Sequence, residues 1–246
     1  MATSTTLRLA SVARAVVSRA FASTHARITS YNVLSDELCD PKFFNQCAAE
    51  HCAPNFRLQR VKKKLNKEIE QGAIICLQEV SRRWGAQFNT FFEQHGYAHV
   101  ACLSGSKKNG YMGQTVAWRR DLYELIDNET VCLADTVPAT TDTIESADDA
   151  KNKLQSLIKK IFGVKIFGVK ETPTATSPFI RALSRHNSVV VSRLKDRQSG
   201  LQFCVANYHM PCLFGSEAKL QVMTIHVALL MQVACLSEWN SDRQFA

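Results

Sequence analysis

The sequence predicts an α+β domain in which two β-sheets pack together with helices outside them. Short β-branched runs alternate with segments of helical period. Two pairs of those runs flank glycine-containing turns and read as hairpins. Apolar residues make up 46% of the 246-residue chain and charged residues 21%, the balance of a folded globular domain with a sizeable core.

The elements follow in chain order. Arg27 to Leu34 alternates β-branched and aromatic residues and predicts a strand. A polar, cysteine-containing loop runs to Pro54-Asn55. Leu58, Val61, Leu65 and Ile69 then recur at helical spacing, with Lys62, Lys63, Lys64 and Lys67 on the other faces, and Gly72 closes the helix. Ala73 to Leu77 is a continuous apolar run, the pattern of a strand covered on both faces. Trp84, Phe88, Phe91 and Phe92 mark a second helix, closed by Gly96.

Tyr97–Leu103 and Thr115–Arg119 predict two strands around the turn Lys107 to Gly110, and Thr130–Ala134 predicts another. Residues 136–178 form an insert. It begins as a polar, acidic loop, predicts a helix over Asp148–Phe162, and carries Ile-Phe-Gly-Val-Lys twice in tandem, too short an array for a solenoid. Ser188–Leu194 and Leu201–Tyr208, separated by Lys195 to Gly200, predict a hairpin. Glu217–Trp239 predicts a long apolar helix. Lys219, Thr224, His226 and Gln232 interrupt it, which favours a buried helix over a membrane span.

Charge and cysteine usage bound the function. The formal net charge is +8, but residues 1–27 hold four arginines and no acid, leaving 26 basic against 22 acidic residues in the body. That mild excess suits a polyanionic substrate without requiring one. Residues 1–27 are rich in Ala, Ser, Thr and Arg, with Leu9, Val12, Val16, Val17 and Phe21 able to share one helical face. This composition predicts a transit segment directing the chain to the mitochondrial matrix, and Arg19-Ala-Phe21-Ala-Ser resembles a processing site. Residues 28–246 are then the folded domain. Nine cysteines occur singly, with no Cys-x-x-Cys, and predict reduced thiols; Cys47, His51 and Cys52 match no zinc spacing.

Two predicted strands end in polar residues foreign to a plain core: Asn32 in Ser-Tyr-Asn-Val-Leu, and Glu79 in Cys-Leu-Gln-Glu-Val. An Asn and a Glu at the ends of adjacent strands would give two hard oxygens to one cation, as Mg²⁺ prefers. Asn207 and His209 end a third strand, where the imidazole would hold a phosphate oxygen or stabilise developing charge. Each feature has a plain structural reading as a solvated Glu, a turn Asn or a packed His.

The order of the local sequences decides between these readings. Thr29-Ser-Tyr-Asn32-Val-Leu and Ile75-Cys-Leu-Gln78-Glu79-Val resemble the first two motifs of the endonuclease/exonuclease/phosphatase superfamily, in its deadenylase/nocturnin/angel branch. Cys52 to Arg60, Gly113 to Arg120 with Trp118, and Asn207-Tyr-His209 resemble further segments of that branch, so the likeness covers about residues 28–239 outside the insert. The resemblance implies a four-layer sandwich of two sheets flanked by helices. It implies phosphodiester hydrolysis with Mg²⁺, or Mn²⁺ in its place, held by Asn32 and Glu79, with Asn207 and His209 catalytic. RNA is the implied substrate. A phosphoinositide or sphingolipid phosphodiesterase shares the motifs, and a non-catalytic binding protein is the rival from another class. The Gly-Asp-Phe-Asn and Ser-Asp-His strings of the family do not occur here. The expectation is therefore a domain incomplete in its C-terminal strands and inactive as it stands. Oligomeric state has no signature in the sequence.

Overall fold

The computed structural model describes residues 26–136, 178–213 and 215–239. The predicted transit segment up to residue 25, the predicted helix over Asp148–Phe162 and the tandem repeat lie outside the described residues.

Two sheets form. The first has the strand order β1-β2-β4-β3, where β1 is Ile28–Asn32, β2 Ile74–Val80, β3 Tyr97–Leu103 and β4 Gly113–Arg119. β1 runs parallel to β2, and the other pairs are antiparallel. The second sheet has the order β5-β6-β7, all antiparallel, with β5 Tyr123–Cys132, β6 Ser188–Asp196 and β7 Gln202–Tyr208. β5 starts seven residues before the predicted Thr130, because Tyr123 to Glu129 pair along β6 although most of them are exposed. A strand held by its ladder on exposed faces leaves no alternation to read.

Among the described residues five α-helices surround the sheets: α1 Ala49–Cys52, α2 Pro54–Glu70, α3 Arg82–Gln94, α4 Pro178–Leu183 and α5 Glu217–Trp239. The buried residues of α2 are the four picked out by spacing, Leu58, Val61, Leu65 and Ile69. α3 buries Trp84, Phe88, Phe91 and Phe92, and its Ser81 cap accepts from the Trp84 amide at 3.1 Å. Among the described residues no helix is long and apolar enough to cross a membrane.

Three apolar clusters separate four layers. α2 and α3 pack on β2 through Leu65, Trp84, Phe88, Ile75 and Leu77. The two sheets meet through Ile74, Cys76, Val116 and Trp118 on one side and Tyr123, Val190, Leu194 and Val205 on the other. α4 and α5 cover the far face of the second sheet through Ala182, Val222, Ile225 and Leu229, against Val189 and Val191. Alternate residues of β2 and of β6 thus feed different clusters, as the two-residue period of a strand covered on both faces requires. The fold is an α+β four-layer sandwich. Arg27 already belongs to it: its carbonyl accepts from Ile74 N at 2.8 Å and its guanidinium pairs with Glu68.

Candidate active site

Glu79 owes its position to a β-bulge. β2 and β4 pair Gln78 with Gln114 and Val80 with Gly113, so Glu79 is an extra residue, with φ at +60°. Along β2, Ile75 and Leu77 point into the helix-side core, and strict alternation would send Glu79 there too. The bulge resets the alternation, so that Val80 takes the core position and Glu79 turns toward the open end of the sheets. Gly113, opposite the bulge, also lies tight against β3: a Cβ there would be 1.6 Å from the Cys102 carbonyl oxygen.

Three donors surround the Glu79 carboxylate. Asn32 Nδ2 donates to Oε1 at 2.7 Å, and His209 Nε2 sits 3.2 Å from the same oxygen. The Ser35 amide donates to Oε2 at 3.4 Å. Burial pushes the Glu79 carboxyl up. The hydrogen bonds from His209 and Asn32, the His209 charge and the Ser35 amide outweigh it and hold the group below its ordinary range. Asn32 reaches Glu79 because β1 and β2 are parallel neighbours in register, with Asn32 opposite Gln78. The Asn32 Oδ1 accepts from Leu34 N at 2.9 Å, which bends the chain just after β1, where Leu34 itself has φ of +53°.

The structure therefore brings Asn32, Glu79 and His209 together. Asn207 has a different place. It is buried, and its amide ties the two sheets: Oδ1 accepts from Gln78 Nε2 at 2.7 Å, while Nδ2 donates to the carbonyls of Leu77 at 2.9 Å and Thr115 at 3.0 Å. It holds the end of β7 against β2 and β4, and so carries His209, two residues on, to the mouth of the site.

Several residues with roles here left no clear mark in the sequence. Arg57 of α2 donates through Nη2 to the carbonyls of Val33 at 2.7 Å and Leu34 at 2.6 Å, fixing the turn that delivers the Ser35 amide. Its place in the segment Cys52 to Arg60 was the only available signal. Asn187 Nδ2 donates to the His209 carbonyl at 3.0 Å, and no spacing in the sequence points to that pairing.

Glu79 and His209 open into a cleft of about 440 Å³ between the 104–114 segment and the 184–187 turn, where Arg185 and His186 add nitrogen donors. Among the described residues Glu79 is the one carboxylate lining it. No group of three or more His, Cys, Asp or Glu side chains able to hold a metal converges among the described residues, Cys47, His51 and Cys52 included. Cys39, Cys47, Cys52, Cys76, Cys102, Cys132, Cys204 and Cys212 are free thiols. One ionised carboxylate at a wet cleft fits a hard cation that keeps most of its water, as Mg²⁺ does, and does not fit a closed structural metal site. Asn32 already spends its amide nitrogen on Glu79 and its oxygen on Leu34, so its part in such a site is first to orient the carboxylate.

No family model matches the chain, and no curated protein does. Among solved structures it is similar to ANGEL2, described as a 2′,3′-cyclic phosphatase, at 20% identity over 74% of this chain and 40% of that one, with a TM-score of 0.49. The human nocturnin catalytic domain with bound sulfate aligns at 16% identity over 90% of this chain and 60% of that one, TM-score 0.49. An endonuclease/exonuclease/phosphatase from Bacteroides vulgatus aligns at 16% identity over 83% and 59%, TM-score 0.48. The chain spans 40% to 60% of the length of these structures.

Proposed function

We propose that this chain carries the metal- and phosphate-binding part of a phosphodiester hydrolase that acts on RNA 3′ ends with Mg²⁺, or Mn²⁺ in its place. The observation that carries the proposal is the Glu79 carboxylate, turned out of the core by a bulge and held ionised at the mouth of a cleft by Asn32, Ser35 and His209. A plain surface glutamate has no need of a positive φ or of three fixed donors. When bound, the cation supplies charge neutralisation at the phosphate and a more acidic coordinated water.

The chain's own residues do the rest. Glu79 provides the one full negative charge toward the cation, with Asn32 beside it. His209, whose Nε2 lies 3.2 Å from Glu79 at the mouth of the cleft, would offer that nitrogen to a phosphate oxygen. Arg185 and His186 line the far wall and draw the anionic substrate in. Asn207 acts at one remove, by seating His209. With no second carboxylate lining the cleft among the described residues, this set binds and orients a phosphodiester but does not direct the attacking water. Residues 28–246 alone are expected to show no turnover.

Mn²⁺ titration followed by electron paramagnetic resonance tests the site directly. Glu79→Gln conserves volume and removes the charge, and should weaken Mn²⁺ binding at least about tenfold, a loss of roughly 1.4 kcal/mol. Asn32→Ala should weaken it less. Unchanged Mn²⁺ affinity in Glu79→Gln would place the metal elsewhere. A binding panel of 3′-oligoadenylate RNA, phosphoinositide and sphingomyelin separates the RNA reading from that of a lipid phosphodiesterase. We further propose a mitochondrial destination: a reporter fused after residue 27 should be imported and trimmed, and a reporter left whole in the cytosol would refute it.

A further inference from the structure

We propose that Tyr111, backed by Arg82, is a stacking platform for a nucleobase of single-stranded RNA at the rim of the Glu79 cleft. The inference rests on the phosphodiester reading above and names a residue that would select RNA over other phosphodiesters.

Tyr111 sits between two residues that line the cleft, Asn109 and Met112. Tyr111 is 39% exposed, and the Arg82 guanidinium lies over its ring, 4.6 Å from the ring centre. A cation behind an aromatic ring holds that ring in place and leaves its other face free. The backbone at Tyr111 is left-handed, with φ at +54°. That conformation is costly for a bulky residue and easy for glycine, so the backbone alone does not favour a tyrosine here.

The loop presenting the ring is held by a set of hydrogen bonds. Ser104 N and Gly105 N both donate to the Met112 carbonyl, at 3.2 and 2.9 Å. Tyr111 N donates to the Ser106 carbonyl at 2.8 Å, and Ser106 and Asn109 cap each other reciprocally. The loop is also tied to the carboxylate itself. The Ser35 hydroxyl donates to the Asn109 carbonyl at 2.8 Å, while the Ser35 amide donates to Glu79. Arg82 N donates to the Gly110 carbonyl at 2.9 Å, and a Cβ at Gly110 would come within 2.9 Å of Glu37 and 3.1 Å of Ser81. The exposed Lys107 and Lys108 on the same loop pair with no carboxylate among the described residues, and they would track a phosphate backbone. An exposed ring backed by a guanidinium, with two lysines on the same loop beside the Glu79 cleft, suits a single strand: charge for the backbone and a π-face for the base.

The test measures binding of fluorescein-labelled oligoadenylate to the full chain by anisotropy, against an abasic oligoribonucleotide of the same length. Wild type should prefer the base-bearing strand. Tyr111→Gly, which suits the left-handed backbone and should unfold at no lower denaturant than wild type, should lose roughly 5- to 150-fold in oligoadenylate affinity and nothing for the abasic strand. Tyr111→Phe should keep the preference. Lys107→Ala with Lys108→Ala should weaken both strands alike. Equal wild-type affinity for the two strands, or equal losses in Tyr111→Gly, would overturn the platform while leaving the phosphodiester reading intact. Binding to phosphoinositide vesicles and to neither RNA strand would overturn the platform together with RNA as substrate.

Discussion

Replacing Asn207 separates two roles that its position in the chain cannot tell apart. Asn207→Ala removes both donors to the Leu77 and Thr115 carbonyls and the acceptor for Gln78. Gln78 Nε2 keeps weaker partners in Ser30 Oγ at 3.1 Å and the Cys76 carbonyl at 3.3 Å, so the unmet groups are the two carbonyls. A buried polar group left without its partner costs about 1–3 kcal/mol. Carbonyls keep a second lone pair for other bonds, so the low half of that range applies. Two such groups and a small void give about 3 kcal/mol. With a urea dependence of about 2 kcal/mol per molar, the unfolding midpoint should fall by roughly 1.5 M. The assay is urea unfolding followed by tryptophan fluorescence, since Trp84 and Trp118 are buried in two of the three cores. Asn207→Asp should cost more, because it sets a carboxylate against two carbonyl oxygens in place of a donor. Burial would raise the pKa of that Asp, so its extra cost is full at neutral pH and shrinks as the pH falls and the carboxyl becomes protonated. A midpoint shift below roughly 0.3 M in Asn207→Ala, together with lost phosphodiester binding, would refute the reasoning and place Asn207 at the reacting phosphate.

Three further outcomes follow from the same structure. Gly113→Ala should cost at least about 3 kcal/mol or abolish folding, since its Cβ would overlap the Cys102 carbonyl, whereas Gly85→Ala in α3, with nothing within 4 Å, should stabilise by up to about 1 kcal/mol; urea midpoints compare the two. The Glu79 carboxyl is held below its ordinary range, so its ionised form contributes stability above the unfolded carboxyl pKa of about 4.3, and that contribution is lost as the pH falls through the folded value. Thermal unfolding between about pH 6 and pH 3 should therefore fall more steeply in wild type than in Glu79→Gln, and parallel curves would contradict this. Burial pushes the Cys76 thiol up to about 11, so iodoacetamide at pH 8 should label the exposed Cys47 and Cys212 first by mass spectrometry, with Cys76 reacting only on unfolding.

Much of the architecture was legible from local pattern. The spacing of Leu58, Val61, Leu65 and Ile69 names the buried face of α2, because a helix repeats its contacts within a few residues. The hairpin of β6 and β7 is written in two β-branched runs around Lys195 to Gly200. β5 was found only at its end, since its exposed residues are held by a ladder with β6, a partner some sixty residues away.

The candidate site divides in the same way. By itself the sequence determined that Asn32 and Glu79 stand at the ends of two strands and that Asn207 and His209 end a third, because those placements follow from short runs of apolar and β-branched residues. Only the tertiary structure decided what each side chain faces. The parallel register of β1 on β2 sets Asn32 beside Glu79, and the bulge opposite Gly113 turns Glu79 out of the core. The packing of one sheet on the other draws Asn207 into a staple 129 residues away from Gln78 and leaves His209 at the cleft. Register, bulges and sheet contacts are set by hydrogen bonds between residues distant in the chain, and no local pattern of residue types encodes them.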